Sequence, residues 1–130
     1  MMDRKRLERL VPDIIITALE GGIGYWACLD TDYEDWTECK KRLNENSRRA
    51  ASVEDIAIEV ILSNKPLALF DVEDADVVWD LTLDKIIKGI EQFEEEEEVP
   101  LEAIIDRGAF DAEDADRIIQ YALFGELVYG

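Results

Sequence analysis

Histidine is absent from this chain. With it goes the side chain that most often serves as general base near neutral pH and as zinc ligand. Cysteine is scarce too. Cys28 and Cys39 match no zinc-ligand spacing and provide no disulfide framework, so two reduced thiols are expected. No apolar run approaches the ~18 residues of a membrane-spanning helix. The charged start MMDRKRLERL has no apolar stretch behind it to act as a secretory signal. No nucleophile elbow and no Walker glycine loop is present. Paired carboxylates could run acid–base chemistry, but 32 acids make chance pairs unavoidable. The chain therefore reads as non-enzymatic, without a cofactor, and cytoplasmic.

Positive charge is the next shortage, and it is regional. Residues 1–50 carry nine bases and ten acids, whereas residues 51–130 carry five bases and 22 acids, a net of −17 out of −18 overall. Such a field repels nucleic acid and anionic membranes and attracts basic surfaces. Direct nucleic-acid binding and membrane binding are not expected.

With 130 residues and an ordinary apolar share, the chain can bury one core without staples, which predicts a single domain over 1–130. Residues 3–20 have a helical period (Leu7, Leu10, Ile14, Leu19, widened by Val11 and Ile15), with Asp3 as cap and Pro12 either kinking the helix or opening its second part. The stretch ALEGGIGYWACLD then raises a question: an apolar helix stops at Gly21-Gly22 and restarts as an aromatic, strand-like run. A phosphate cradle needs the opposite order, strand, glycine loop, helix. The glycines are therefore expected to cap the helix C-terminus at positive φ and to feed a strand over 23–30.

Residues 30–52 are polar and read as a loop with a short helix near 37–43. Ser52 opens a capping-box pattern, SVED, ahead of a helix whose apolar face is Ile56, Val60 and Ile61. PLALFDVE and DVVWDLT, joined across DAD, predict an antiparallel hairpin. Thr82 caps a helix with the stripe Leu83, Ile86, Ile87, Ile90 and Phe93, which runs out into Glu94–Glu98. A short helix follows at 100–106 after Pro100. Asp111 caps a last helix with Ile118, Ile119, Ala122 and Leu123 inward; Gly125 ends it, and ELVYG reads as a closing strand. The predicted class is α+β, with a small, mostly antiparallel sheet packed against about four to five helices.

Three acid-rich or aromatic features invite function. Asp30, Asp32 and Glu34 alternate as in an EF-hand loop, but Asp35 stands where glycine is needed and Lys41 where the bidentate glutamate belongs; DAEDADRIIQYA fails likewise at Ala122. Trp26 and Trp79 read as core residues. Trp36, in the polar loop, is expected to be exposed beside the basic residues Lys40, Lys41, Arg42, Arg48 and Arg49. Trp36, Arg48 and Arg49 could hold a phosphorylated ligand, although pairing of this cluster with the protein's own acids is the simpler expectation. Finally, Glu94–Glu98 sits at a helix C-terminus, where acids oppose the macrodipole.

ALEGGIGYW (18–26), DAEDADRIIQYALFGELVYG (111–130) and WDLTLDKIIKGI (79–90) together resemble a family of small, acidic proteins encoded by phages and integrative elements of Gram-positive bacteria. No activity is carried over with the resemblance. It implies a mobile-element protein in a bacterial cytoplasm. Combined with the charge, the expected function is an anti-defence inhibitor (anti-CRISPR or anti-restriction) that occupies the basic nucleic-acid groove of a host protein, such as a defence nuclease. The acids expected to form that face are Asp71, Glu73, Asp74, Asp76, Glu91, Glu94, Glu95 and Glu98. Asp71 with Glu73, two apart on a strand, repeat at ~6.8 Å; Glu91 with Glu95, and Glu94 with Glu98, lie ~5–6 Å apart on a helix. DNA phosphates follow each other with ~3.4 Å of rise per strand. A binder of a phosphorylated signal and a metal-dependent enzyme are the alternatives, and self-association stays open.

Overall fold

In the computed structural model, which describes residues 4–130, the hairpin is where its alternation placed it. Strands β2 (Leu67–Asp71) and β3 (Val78–Leu81) pair antiparallel, with Leu69 opposite Trp79 and Phe70 opposite Val78. A third strand, β1 (Ala27–Leu29), pairs antiparallel with β2, giving the order β1-β2-β3. Strand side chains alternate faces. Leu67, Leu69 and Leu81 are therefore buried on one face, while Cys28, Phe70 and Val78 form a row on the other, where Val78 is 66% exposed.

Helices cover the buried face. The N-terminal helical run breaks into α1 (Arg4–Glu8) and α2 (Val11–Thr17), with Pro12 inside the first turn of α2, where its missing N–H is not needed. The Asp3 cap lies outside the described residues. Next, α3 (Glu34–Glu45) and α4 (Val53–Leu62) pack on each other, and α4 starts at a complete capping box between Ser52 and Asp55. Thr82 caps α5 (Leu83–Glu97), whose Leu83, Ile86, Ile87, Ile90 and Phe93 are all buried as the stripe requires. After α6 (Leu101–Asp106) comes α7 (Ala112–Phe124), boxed by Asp111 and Asp114 and ended by a left-handed Gly125. The α5–α7 pair is the most extensive helix contact. At its centre is Gly89, where a Cβ would lie 2.6 Å from the Ile118 carbonyl oxygen.

The class is α+β, as the sequence predicts, but four local expectations need correction. The strand expected over 23–30 is only Ala27–Leu29, because Ile23–Tyr25 form a turn whose carbonyl at Ile23 accepts from the Trp26 and Ala27 amides. The helix expected near 37–43 is longer, Glu34–Glu45. It turns Trp36 and Cys39 inward, so Trp36 is 3% exposed rather than an exposed aromatic. Its polar composition hid the i, i+3 spacing of just two core residues. Ala122 and Leu123 are only partly buried. Lastly, ELVYG forms no strand: Leu127 and Val128 are exposed, and the tail is held by side chains of α7 instead.

The two glycines have distinct reasons. Ala18–Gly22 is a π-helical turn continuing α2, with Gly21 at φ +153°, a conformation only glycine adopts without strain. The positive φ is as expected, although it lies outside the compact left-handed well of an ordinary C-cap. Gly22 is buried. A Cβ there would meet the Ala112 carbonyl at 3.0 Å, so the second glycine lets this turn approach the start of α7.

Candidate interaction surface

The acids divide into those that build the fold and those that face outward. In the hairpin turn, Asp71 accepts the Glu73 amide at 2.8 Å and the Tyr129 hydroxyl at 3.2 Å, and Asp74 accepts the Asp76 amide at 3.1 Å. Asp71 and Asp74 thus close the turn. Glu73 lies beyond the end of β2, so the regular strand spacing expected for Asp71 and Glu73 does not exist. Glu73, Asp74 and Asp76 are exposed.

Glu94 is likewise a structural group. Its side chain is 12% exposed, takes both Arg6 guanidinium nitrogens at 3.0 and 3.2 Å, and accepts the Leu101 amide at 2.6 Å. It supplies the N-terminal cap that Pro100 cannot give α6. Arg6 also bonds Glu102, tying α1 to α5 and α6. Glu96 and Glu97 pair with Arg117 of α7, and Glu96 accepts the Tyr121 hydroxyl.

What remains is Glu91 and Glu95 on α5 and Glu98 at its C-cap. A spacing of four places Glu91 and Glu95 on one helix face, Glu98 follows at the helix end, and none of the three makes an ion pair among the described residues. Helical rise of ~1.5 Å per residue spreads the three over ~10 Å. Glu98 stands at φ +57°. A side chain in the left-handed well costs ~1–2 kcal/mol, and its charge opposes the helix dipole as well. The left-handed turn itself closes α5, the Glu98 amide donating to the Glu94 carbonyl at 2.8 Å, but neither a side chain nor a negative charge is needed there.

The residues of the ligand alternative are not brought to one place. Trp36 lines a shallow hollow with Thr37 and Lys40, whereas Arg49 lines another with Ser47 and Asp55; Arg48 is exposed and lines neither. Of the basic cluster, Arg42 pairs with Glu59 at 3.3 Å. No ion pair to Lys40, Lys41, Arg48 or Arg49 occurs among the described residues.

A polar hub escaped the sequence reading. Asp116 and Gln120, one turn apart on α7, are buried at 8% and 1% exposure. Asp116 accepts the Trp26 indole N–H at 2.8 Å, the Tyr25 hydroxyl at 2.5 Å and the Gln120 amide at 2.9 Å. Gln120 in turn accepts the Val128 and Tyr129 amides at 2.7 and 2.8 Å and donates to the Tyr129 carbonyl at 3.0 Å. Tyr129 is thereby stacked on Trp26, with ring centroids 4.9 Å apart, inside a cluster that adds Trp79 and Phe124. The hub borders a cleft of about 440 Å³. No buried side-chain polar atom among the described residues lacks a partner. The signal was available: two polar residues at i, i+4 beside Ala115 and Ile119 mark a polar pair on an inward face.

All four tyrosines hold their phenol protons more tightly than a free tyrosine. Burial is the first cause in each. The carboxylates of Asp116, Glu96 and Asp71 reinforce it at Tyr25, Tyr121 and Tyr129. Tyr25 is pushed up to about 12. The unfolded chain releases these protons near pH ~10, so the folded state keeps protons that the unfolded state has lost. Their stabilisation is whole below pH ~10 and falls as pH rises through the folded values. Tyrosinate absorbance should therefore rise together with loss of helical circular dichroism above pH ~10. Titration of all four phenols in an intact fold would show that these bonds do not hold.

No protein-family model matches the chain, and no curated protein or solved structure matches it either. Fold and surface define a small α+β protein with an acidic outer face. Among the described residues no helix is long and apolar enough to cross a membrane, and no group of three or more candidate ligands could hold a metal ion.

Proposed function

We propose that the protein is a non-enzymatic inhibitor that presents its acidic face to a basic nucleic-acid groove of a host protein. The observation that carries this is the set Glu91, Glu95 and Glu98: exposed or half-buried acids along the end of α5 and at its C-cap, unpaired among the described residues. Neighbouring acids such as Glu94, Glu96 and Glu97 are consumed by internal ion pairs. Glu73, Asp74 and Asp76 extend the negative field at the hairpin. The i, i+4 separation of ~5–6 Å suits cations arranged for a phosphate backbone. Proteins of phages and integrative elements, which three segments resemble, act in a bacterial cytoplasm, where a defence nuclease with such a groove is the fitting target.

Affinity purification from a bacterial host would supply the partner. Its binding should weaken steeply between ~50 and ~500 mM salt, because exposed charge pairs are screened over ~8 Å at physiological ionic strength. Most of the loss should lie in the association rate. Replacing Glu91, Glu95 and Glu98 by Gln should reduce affinity about tenfold or more, with the fold unchanged. Glu98→Gly is the sharper variant. It should raise stability by roughly 1 kcal/mol, by relieving the left-handed side chain, and still weaken binding. A partner whose affinity ignores salt and both substitutions would end the proposal.

A further inference from the structure

We propose that the outer edge of β3 is a docking strand for an extended, basic segment of the protein's partner, added to the sheet by main-chain pairing; this rests on the partner being basic, as inferred above. The ladder shows which backbone groups are turned outward. In antiparallel pairing, bonded and non-bonded residue pairs alternate. The Asp71 amide donates to the Val77 carbonyl at 2.9 Å, so Val77, Trp79 and Leu81 face β2, and Val78 and Asp80 present their N–H and C=O groups to the other side. Among the described residues, no bond outside the ladder reaches the backbone of Val78, and of the outward groups of Val78 and Asp80 only the Asp80 carbonyl is covered, by the Lys85 ammonium at 2.7 Å. Val78 is also the most exposed large apolar side chain among the described residues, standing next to Phe70 on the open face.

An uncovered edge is a ready template for strand addition. Its charges choose the occupant. Asp80 follows Val78 by two on β3 and shares its face, and the exposed acids Asp74 and Asp76 lie in the turn just before the strand, so an incoming strand meets an apolar side chain flanked by negative charge at both ends. A second copy of this chain paired antiparallel about Val78 would bring the Asp80 carboxylate of each copy toward the acidic turn, with Asp74 and Asp76, of the other, and like charges brought together across strands are destabilising. A strand with an apolar residue between two lysines or arginines fits instead. Strand addition would give the acidic face a fixed register, which a diffuse negative field cannot do.

The probe is a synthetic peptide alternating valine and lysine, compared with a lysine-only peptide of equal charge. Binding of the alternating peptide should slow hydrogen exchange at the Val78 and Asp80 amides about tenfold or more, and the lysine-only peptide should not. Val78→Pro removes the outward donor without touching a ladder bond, since proline is tolerated at an outward edge position. It should abolish that protection and leave the acids in place. Val78→Lys, which keeps the backbone intact and repels the peptide, serves if the proline variant fails to fold. Absence of peptide binding, binding without protection of these two amides, or undiminished binding by the variants would overturn strand docking. The acidic-face proposal stands or falls separately, on the salt dependence measured with the host partner and on the α5 substitutions.

Discussion

Asp116→Ala should lower the stability of the domain by about 3 kcal/mol, because it leaves the buried Trp26 indole N–H without an acceptor and takes a partner from Gln120 and Tyr25 as well. The Trp26 indole N–H and the Gln120 side-chain amide would each lose an acceptor at 2.8–2.9 Å, and the Tyr25 hydroxyl its partner at 2.5 Å. Trp26 is 2% exposed and has no alternative acceptor among the described bonds. A domain of this size has only ~5–15 kcal/mol in total, so the melting temperature should fall by roughly 10 °C. Asp116→Asn keeps a carbonyl oxygen for the indole and should lose less than half as much. Gln120→Ala should release the tail, since the Val128 and Tyr129 amides depend on its carbonyl oxygen. Tryptophan fluorescence would report the loss of the Tyr129 ring from Trp26. Equal stability of Asp116→Ala and the native chain would show that the hub is not a structural anchor.

The same hub shows where sequence reading succeeds and stops. Periodic burial was legible: the α5 stripe, the hairpin and the capping residues Ser52, Thr82 and Asp111 are all determined within a few residues of themselves. The end of α7 at Gly125 was legible for the same reason. Contacts between distant positions were not. Nothing local to Glu94 says that it will cap α6 and meet Arg6, 88 positions away. Nothing local to Leu127–Tyr129 says that Gln120 will hold this branched, aromatic tail and so prevent it from pairing as a strand. Trp36 was misplaced because neighbouring charges outvoted it in composition, whereas in a helix only the spacing of Trp36 and Cys39 matters. The acidic surface shows a third case. Charge total was plain, but which acids are used internally depends on tertiary ion pairs, and this removes Glu94 from the candidate face and leaves Glu91, Glu95 and Glu98.

Gly89→Ala should destabilise the protein by about 2 kcal/mol, although alanine is the better helix former by ~1 kcal/mol. In an isolated helix the substitution would help. Here the new methyl would lie 2.6 Å from the Ile118 carbonyl oxygen and 3.0 Å from the Ala122 amide nitrogen, both main-chain atoms of α7. Main chain cannot swing aside as a flexible side chain can, so α7 itself must move. That movement reaches Asp116 and Gln120, on the same helix, and through them Trp26 and the C-terminal tail. The change would also tilt α5, the helix that carries Glu91, Glu95 and Glu98, relative to the hairpin. Gly89→Val, larger and branched, should be worse still. Ala122→Gly should rescue Gly89→Ala only slightly, because the nearest obstacle is the Ile118 carbonyl and not the Ala122 methyl at 3.1 Å. Thermal unfolding of the single and double variants decides the matter: a Gly89→Ala protein as stable as the native one would mean that α5 and α7 are not held at this approach, and full rescue by Ala122→Gly would mean that side chains, not backbone, set it.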